Sequence, residues 1–261
     1  MAKAATGTKT NAQVPASPSS GQGSNTPVSA TQQGCQEKRV IVIDPGHGGT
    51  ANADRSTWNN ATSVSGVMEK DLTLQYAQSL KRQLASAAVK QIFTSKNYCD
   101  VQVILTRETD VNLAAADRVA VAKTNKADIF FSIHFNGAAA ASARGTETFY
   151  RSSSNGHQTN EAEDRALARS VNAAAVAAIG AVSAGSKDRG AKADSATGHG
   201  SLYVLRDPGI GLSGDMCRSV LIEVEFITNT AVDQALVKGP QATANRDAVM
   251  LAVAKALANA L

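Results

Sequence analysis

The sequence is short of several things, and each shortage closes off a class of protein. Aromatic residues make up only 4%, with a single tryptophan, too few for the rows of stacking rings that single-stranded nucleic acid needs. There are three cysteines, Cys35, Cys99 and Cys217. They are too few and too dispersed for a disulfide scaffold, and no Cys-x-x-Cys pair offers thiolates to a metal. Any metal centre must therefore come from carboxylates and the four histidines, His47, His134, His157 and His199. No uninterrupted apolar run reaches the roughly 18 residues of a membrane span, so none is predicted. Excess charge is also scarce: 26 Lys and Arg against 22 Asp and Glu leave +4. That mild basicity suits anionic partners such as cell-wall polymers or nucleic acid without selecting one.

What is present suffices for a core. Apolar residues are 43% of 261, which fits one α/β domain of about 220 residues plus a tail. Residues 1–36 have a different texture. They hold Pro15, Pro18 and Pro27 among Ser, Thr, Gly, Gln and Asn, and before Cys35 the larger apolar side chains are Met1, Val14 and Val28. So little apolar area cannot offset the entropy of ordering, and a disordered low-complexity leader is predicted. Lys3 and Lys9 precede no apolar stretch, so the segment does not read as a secretory signal, and Gln33-Gly34-Cys35 lacks the run a lipoprotein signal carries. Residues 37–261 are expected to form one domain.

In that domain Val40-Ile41-Val42-Ile43 is a β-branched run typical of a strand covered on both faces. Comparable runs are Val101–Leu105, Ile129–Ile133 and Ser219–Ile222, with weaker strand signals at Thr146–Tyr150 and Leu202–Leu205. Helical spacing appears between them: Leu72, Tyr76, Leu80 and Leu84 within 69–88, an Ala-rich stretch at 113–123, Leu167, Val171, Ala174 and Ala178 within 161–179, and Val249, Val253, Leu257 and Leu261 after about Thr243. Alternating strands and helices predict an α/β three-layer sandwich, with a mostly parallel six-stranded sheet flanked by helices.

Chemistry-bearing residues cluster at the expected strand ends. His47 lies in Asp44-Pro45-Gly46-His47-Gly48-Gly49 after the first strand, where glycines permit a tight turn and close backbone approach. A glycine loop for phosphate is the bland alternative, but no Gly-Lys-Ser/Thr follows. His134 ends another strand, in Ser132-Ile133-His134-Phe135-Asn136, and sits at the same sheet edge if the strands are parallel. Glu69 opens the first helix, where a dipole-favoured surface role is the ordinary explanation. Beside two imidazoles it would instead complete a His₂Glu set, a three-ligand zinc pattern with a fourth position for water. Glu223 and Glu225 end an apolar strand and alternate onto one face; a carboxylate there is costly unless paired or functional. Either could act as a general base. His157 and His199 lie in loop-like contexts and are not expected to be ligands.

Taken together, Val42–Gly49, Glu69-Lys70, Ala127–Asn136 and Leu221–Asn229 resemble the zinc-dependent N-acetylmuramoyl-L-alanine amidases of the Amidase_3 type. Gly145–Tyr150, Asp188-Arg189-Gly190 and Tyr203–Arg206 resemble that family's segments in the same order, over about residues 39–261. The resemblance implies one zinc ion held by His47, Glu69 and His134, and a catalytic glutamate at Glu223. It implies hydrolysis of the amide between N-acetylmuramic acid and L-alanine in peptidoglycan, by a monomer, with no nucleic-acid partner. It places the protein in the cell envelope (periplasm or cell wall) or outside the cell, as a phage endolysin or a processed chain. Two features depart from the family: Glu225 stands where glycine is usual, and the polar stretch Thr50–Gly66 makes the His47-to-Glu69 interval long.

Two further expectations concern architecture. Cys35 and Cys99 each precede a predicted strand, so they either bridge or stay as thiols. Some relatives carry a helix that plugs the zinc site until a partner removes it. Residues 151–187 leave room for one core-facing helix and no second, so an open site needing no activator is expected. Competing readings are a zinc exopeptidase and a wall-binding module that has lost catalysis; zinc content and turbidity loss of a wall suspension separate them. Deleting residues 1–34 is predicted to leave the melting temperature and catalysis almost unchanged, and a clear fall in melting temperature would show that the segment packs.

Overall fold

The computed structural model describes residues 38–152, 160–206 and 217–261. The chain divides into Met1–Gly34 and Cys35–Leu261, and the expected leader lies outside the described residues. Six strands form one sheet: β1 (Arg39–Pro45), β2 (Val101–Leu105), β3 (Ile129–Asn136), β4 (Thr146–Tyr150), β5 (Asp188–Ala193) and β6 (Arg218–Phe226). Their order is β2-β1-β3-β6-β4-β5. All neighbours are parallel except β4 and β6, which run antiparallel, so the sheet is mixed. Ile41, Val42 and Ile43 are fully buried, as a central strand with helices on both faces requires.

The helices are α1 (Glu69–Leu84), α2 (Ala87–Ser95), α3 (Ala115–Thr124), α4 (Glu161–Val182), the single turn α5 (Tyr203–Arg206), the short α6 (Thr230–Val232) and α7 (Ala242–Ala260). α1 has Glu69 and Asp71 in its first turn and Lys81 and Arg82 in its last, the charge order the helix dipole favours. It buries Leu72, Tyr76, Leu80 and Leu84, each worth roughly 1.5–3 kcal/mol of apolar burial. That stripe joins Ile41, Ile43, Phe131, Val171 and Val253 in the larger core, with α4 and α7 packed alongside. The opposite face carries a smaller core of Val40, Val42, Val119, Phe130 and Leu205 under α3 and α5.

Two expectations need correction. Leu202–Leu205 is no strand, because Tyr203–Arg206 coils into α5 and buries Leu205 in the smaller core. The sixth strand is β5, whose sequence Asp-Arg-Gly-Ala-Lys-Ala is half-buried at the sheet edge and therefore shows no apolar run. Among the described residues α4 is the one helix long and apolar enough, by length and composition only, to cross a membrane. Its Leu167, Ala168, Val171, Ala175 and Ile179 are buried against β4, β5, β6 and α7, so its apolar side is spent on the core. Cys99 carries a disulfide; Cys35, the partner in one of the two alternatives above, lies outside the described residues, and Cys217 is buried.

Asp164, in the first turn of α4, is buried and accepts a 2.8 Å hydrogen bond from the Ser219 amide. Burial pushes its carboxyl up to about 7. A folded-state pKa above the unfolded value means that folding favours the protonated form. Stability is therefore expected to be highest below about pH 4 as far as this group is concerned, and to fall as pH rises toward 7. Asp164→Asn should flatten that portion of the stability–pH curve in urea titrations; an unchanged slope would exclude Asp164 as its source.

Candidate active site

Parallel register aligns the carboxyl ends of β1, β3 and β6: Asp44 pairs with Ser132, Ser132 with Leu221, and His134 with Glu223. His47 follows β1 in a left-handed backbone, φ 60°, which is uncommon for a residue with a side chain. Two buried arginines hold it there. Arg107 donates Nε–H to the Pro45 carbonyl at 3.0 Å and Nη2–H to the Gly46 carbonyl at 2.9 Å. Arg118 donates to the Pro45 and His47 carbonyls, both at 2.8 Å. Three consecutive carbonyls thus point into the protein, and the His47 ring points out to the site. Gly46 is required because a Cβ there would lie 2.3 Å from the His134 ring, and one on Gly48 would lie 2.0 Å from the Val111 carbonyl oxygen.

Arg118 is itself neutralised by fully buried Asp44, at 2.9 Å. Thr106 and Ser132 hydroxyls donate to the same carboxylate at 2.6 and 2.7 Å. Burial alone would raise the Asp44 pKa, but the Arg118 charge and these hydrogen bonds hold it below the ordinary value.

His47, Glu69 and His134 converge. Glu69 Oε1 lies 3.0 Å from His47 Nε2 and 3.2 Å from His134 Nδ1, and the two nitrogens are 3.1 Å apart. The ring of His47 meets that of His134 nearly edge-on, at 78°. His47 Nδ1 lies 2.9 Å from the Thr57 carbonyl, an acceptor only, so Nδ1–H is donated there and Nε2 is the nitrogen turned to the site. Glu69 accepts from the Ala61 amide at 3.0 Å and the Phe135 amide at 3.1 Å. Burial opposes its charge, yet the bonds to His134 and His47 bring its pKa to about 2. Burial lowers the His134 pKa; for His47 burial works the same way, but Glu69 outweighs it and the pKa is raised. Among the described residues this is the one group of three metal-capable side chains, with ligand atoms within 4.8 Å of one another.

Glu223 stands beside this cluster on β6. Its Oε2 is buried and meets no hydrogen-bond partner among the described residues. Burial, then the negative charges of Glu69 and Glu147, push its carboxyl well above the ordinary range. Glu225, expected on the same face, is turned away. The β3–β6 register slips between His134 and Asn136, and such a bulge re-aims the side chains beyond it. Glu225 accepts from Arg144 Nε at 3.0 Å, the Gly145 amide at 2.7 Å and the Phe226 amide at 2.9 Å. It anchors the start of β4 and does not join Glu223.

A cleft of about 810 Å³ opens over the cluster. Part of its rim is the Thr50–Gly66 stretch, beside the site as expected, and His199 lines another part. His157 lies outside the described residues. The sequence offered no sign of the parts played by Thr57, Arg107, Arg118 and Glu147, because carbonyl acceptance and buried ion pairing leave no spacing pattern. Glu147 of β4 pairs with Glu223 of β6 and is tied to Lys192 at 2.5 Å, Asn136 at 2.8 Å and Arg189 at 3.2 Å.

An α/β sandwich with two histidines and a glutamate gathered at its strand ends defines the class to which this chain is assigned by its architecture. The family model described as N-acetylmuramoyl-L-alanine amidase matches residues 41–259, and the chain belongs to that family. An uncharacterised cell wall amidase of Bacillus anthracis is 30% identical over 198 residues, 75% of this chain and 31% of that protein. The N-acetylmuramoyl-L-alanine amidase LytC of Bacillus subtilis is 28% identical over 232 residues, 85% of this chain and 38% of its own length. The chain thus spans about a third of these two relatives. The catalytic domain of CwlV, an N-acetylmuramoyl-L-alanine amidase from Bacillus (Paenibacillus) polymyxa var. colistinus, superposes with a TM-score of 0.59 at 26% identity, covering 84% of this chain and 96% of that domain.

Arg118→Ala should remove about 3–5 kcal/mol of stability, because Asp44 would be left buried and unpaired. The urea midpoint of unfolding measures it, and a loss under 1 kcal/mol would show that Thr106 and Ser132 suffice.

Proposed function

We propose that residues 37–261 form the catalytic domain of a peptidoglycan hydrolase that cleaves the amide between N-acetylmuramic acid and L-alanine. The convergence of His47, Glu69 and His134 beside the unpartnered oxygen of Glu223 carries this reading. Two imidazole nitrogens and a carboxylate form a donor set suited to one zinc ion with an open fourth position. Zinc held there supplies Lewis acidity, polarising the amide carbonyl and lowering the pKa of water toward about 7.

The remaining work falls to the chain. Thr57 fixes the His47 tautomer, while the Ala61 and Phe135 amides fix the Glu69 carboxylate, so the ligand set is oriented before any metal arrives. Glu223, the strand partner of His134, would be ionised once a bound cation offsets the charge of Glu69, and would then take a proton from the attacking water and return it to the departing amide nitrogen. In this reading the protein acts on cell wall from the envelope or outside the cell, as a monomer with one zinc. Helix α4 is committed to the core, which supports an open site that needs no activator protein.

His47→Ala, Glu69→Ala and His134→Ala are each expected to lose zinc and lysis, because a three-ligand site has no spare donor. Full zinc occupancy with normal lysis in any one would remove that residue from the set. Glu223→Gln should keep zinc and lose hydrolysis by at least about 100-fold, within the range of general-base catalysis. Glu225→Gln should lower the melting temperature while retaining zinc and most activity. Mass spectrometry of digested peptidoglycan identifies the bond cut.

A further inference from the structure

We infer that the cleft takes the two halves of its substrate at opposite sides of the His-Glu-His cluster, the acidic stem peptide over β4 and β5 and the uncharged glycan along residues 52–60. The inference rests on the amidase reading above and assigns the carboxylate-recognising role to Arg189 and Lys192.

The sheet provides the ruler. Glu223 is registered against Glu147 of β4, and Glu147 against Gly190 of β5. Strands lie about 4.8 Å apart, so β5 runs roughly 10 Å from Glu223. An extended peptide covers that distance in about three residues. Arg189 and Lys192 flank Gly190, and both line the cleft. Their side chains are 39% and 34% exposed, so a ligand can reach them while the fold still aims them. Both pair with one carboxylate, Glu147, which leaves a surplus of one positive charge on this wall. Neither is a loose surface cation: the Arg189 guanidinium also lies 5.1 Å from the centre of the Phe226 ring.

The other side of the cluster has different chemistry. The stretch after β1 brings Asn52, Ser56, Thr57 and Asn60 to the cleft, which are amides and hydroxyls without charge. Arg55, the one cation of this stretch that lines the cleft, lies 4.9 Å from the Tyr203 ring centre and 4.0 Å from the Asp54 carboxylate, which offsets its charge. A glycan of N-acetylated sugars offers hydroxyls and acetamides, matched by neutral hydrogen-bonding groups. Its stem peptide carries carboxylates, matched by a guanidinium and an ammonium through charge-assisted hydrogen bonds. One orientation satisfies both sides; the reverse places carboxylates against neutral groups and leaves the cations facing sugar.

The test compares N-acetylmuramoyl-L-alanyl-D-glutamate with its α-carboxamide counterpart, both with the γ-carboxyl capped as the methylamide so that the α-carboxylate is the one charge that differs, using the zinc-loaded protein and measuring KM and kcat separately. The unmodified protein should favour the carboxylate substrate about tenfold in kcat/KM, and the preference should shrink as sodium chloride is raised. Lys192→Met and Arg189→Met each leave the other cation paired with Glu147. Each should raise KM for the carboxylate substrate several-fold, erode the preference, and raise KM for the carboxamide much less. Asn60→Ala should raise KM for both substrates equally. Equal rates on the two substrates, a salt-independent preference, or equal KM losses on both in the β5 variants would overturn the orientation alone. Should a β5 variant fail to fold, the salt dependence of the unmodified protein still decides. Release of peptide from neither substrate would overturn the amidase reading and the orientation with it.

Discussion

The buried ion pair between Asp44 and Arg118 is the constraint on which the site hangs. It is costly to assemble, since neither charge reaches water, and it holds because Thr106 and Ser132 complete the carboxylate's hydrogen bonds. Once paired, Arg118 has donors left for the Pro45 and His47 carbonyls, and Arg107 takes Pro45 and Gly46. A loop whose carbonyls all face inward must present its side chain outward. His47 accepts an unusual backbone conformation, and the arginines supply the energy that keeps it there.

Rigidity then propagates along β-sheet register. His134 and Glu223 are adjacent because β3 and β6 are parallel and in phase; Glu147 faces Glu223 because β4 reverses direction. The reversal has a chemical consequence, since it brings a third carboxylate near Glu69 and Glu223 in a site that already concentrates negative charge. Arg189 and Lys192 on β5 offset it. The same two cations that make Glu147 tolerable also give the cleft a charged side and a neutral side, so structural compensation and substrate orientation are two results of one arrangement.

The slip between β3 and β6 is equally consequential. Without it, strand alternation would place Glu223 and Glu225 on one face, two carboxylates competing for one position. With it, Glu225 becomes the anchor for Arg144 and the Gly145 amide. A family position normally filled by glycine can therefore hold a charged residue here, because its charge is spent on fixing the entry to β4.

Much was legible in the sequence because the signals were local. β-branched runs such as Val40–Ile43 make strands wherever both faces are buried, and leucines spaced by four make a helix like α1. Histidines at the ends of such runs, with glycines around His47, mark a sheet edge where ligands can gather. Nothing local distinguished β5, since an edge strand needs no apolar run, nor α5, whose Leu205 gains its burial from α3. Nor could spacing separate Glu223 from Glu225, since a one-residue slip against a partner strand reverses alternation and leaves no trace in either strand alone. Residue types at strand ends were determined by the sequence itself; which carboxylate faces the histidines, and what holds His47 in its turn, were decided by hydrogen bonds between segments as much as 88 positions apart.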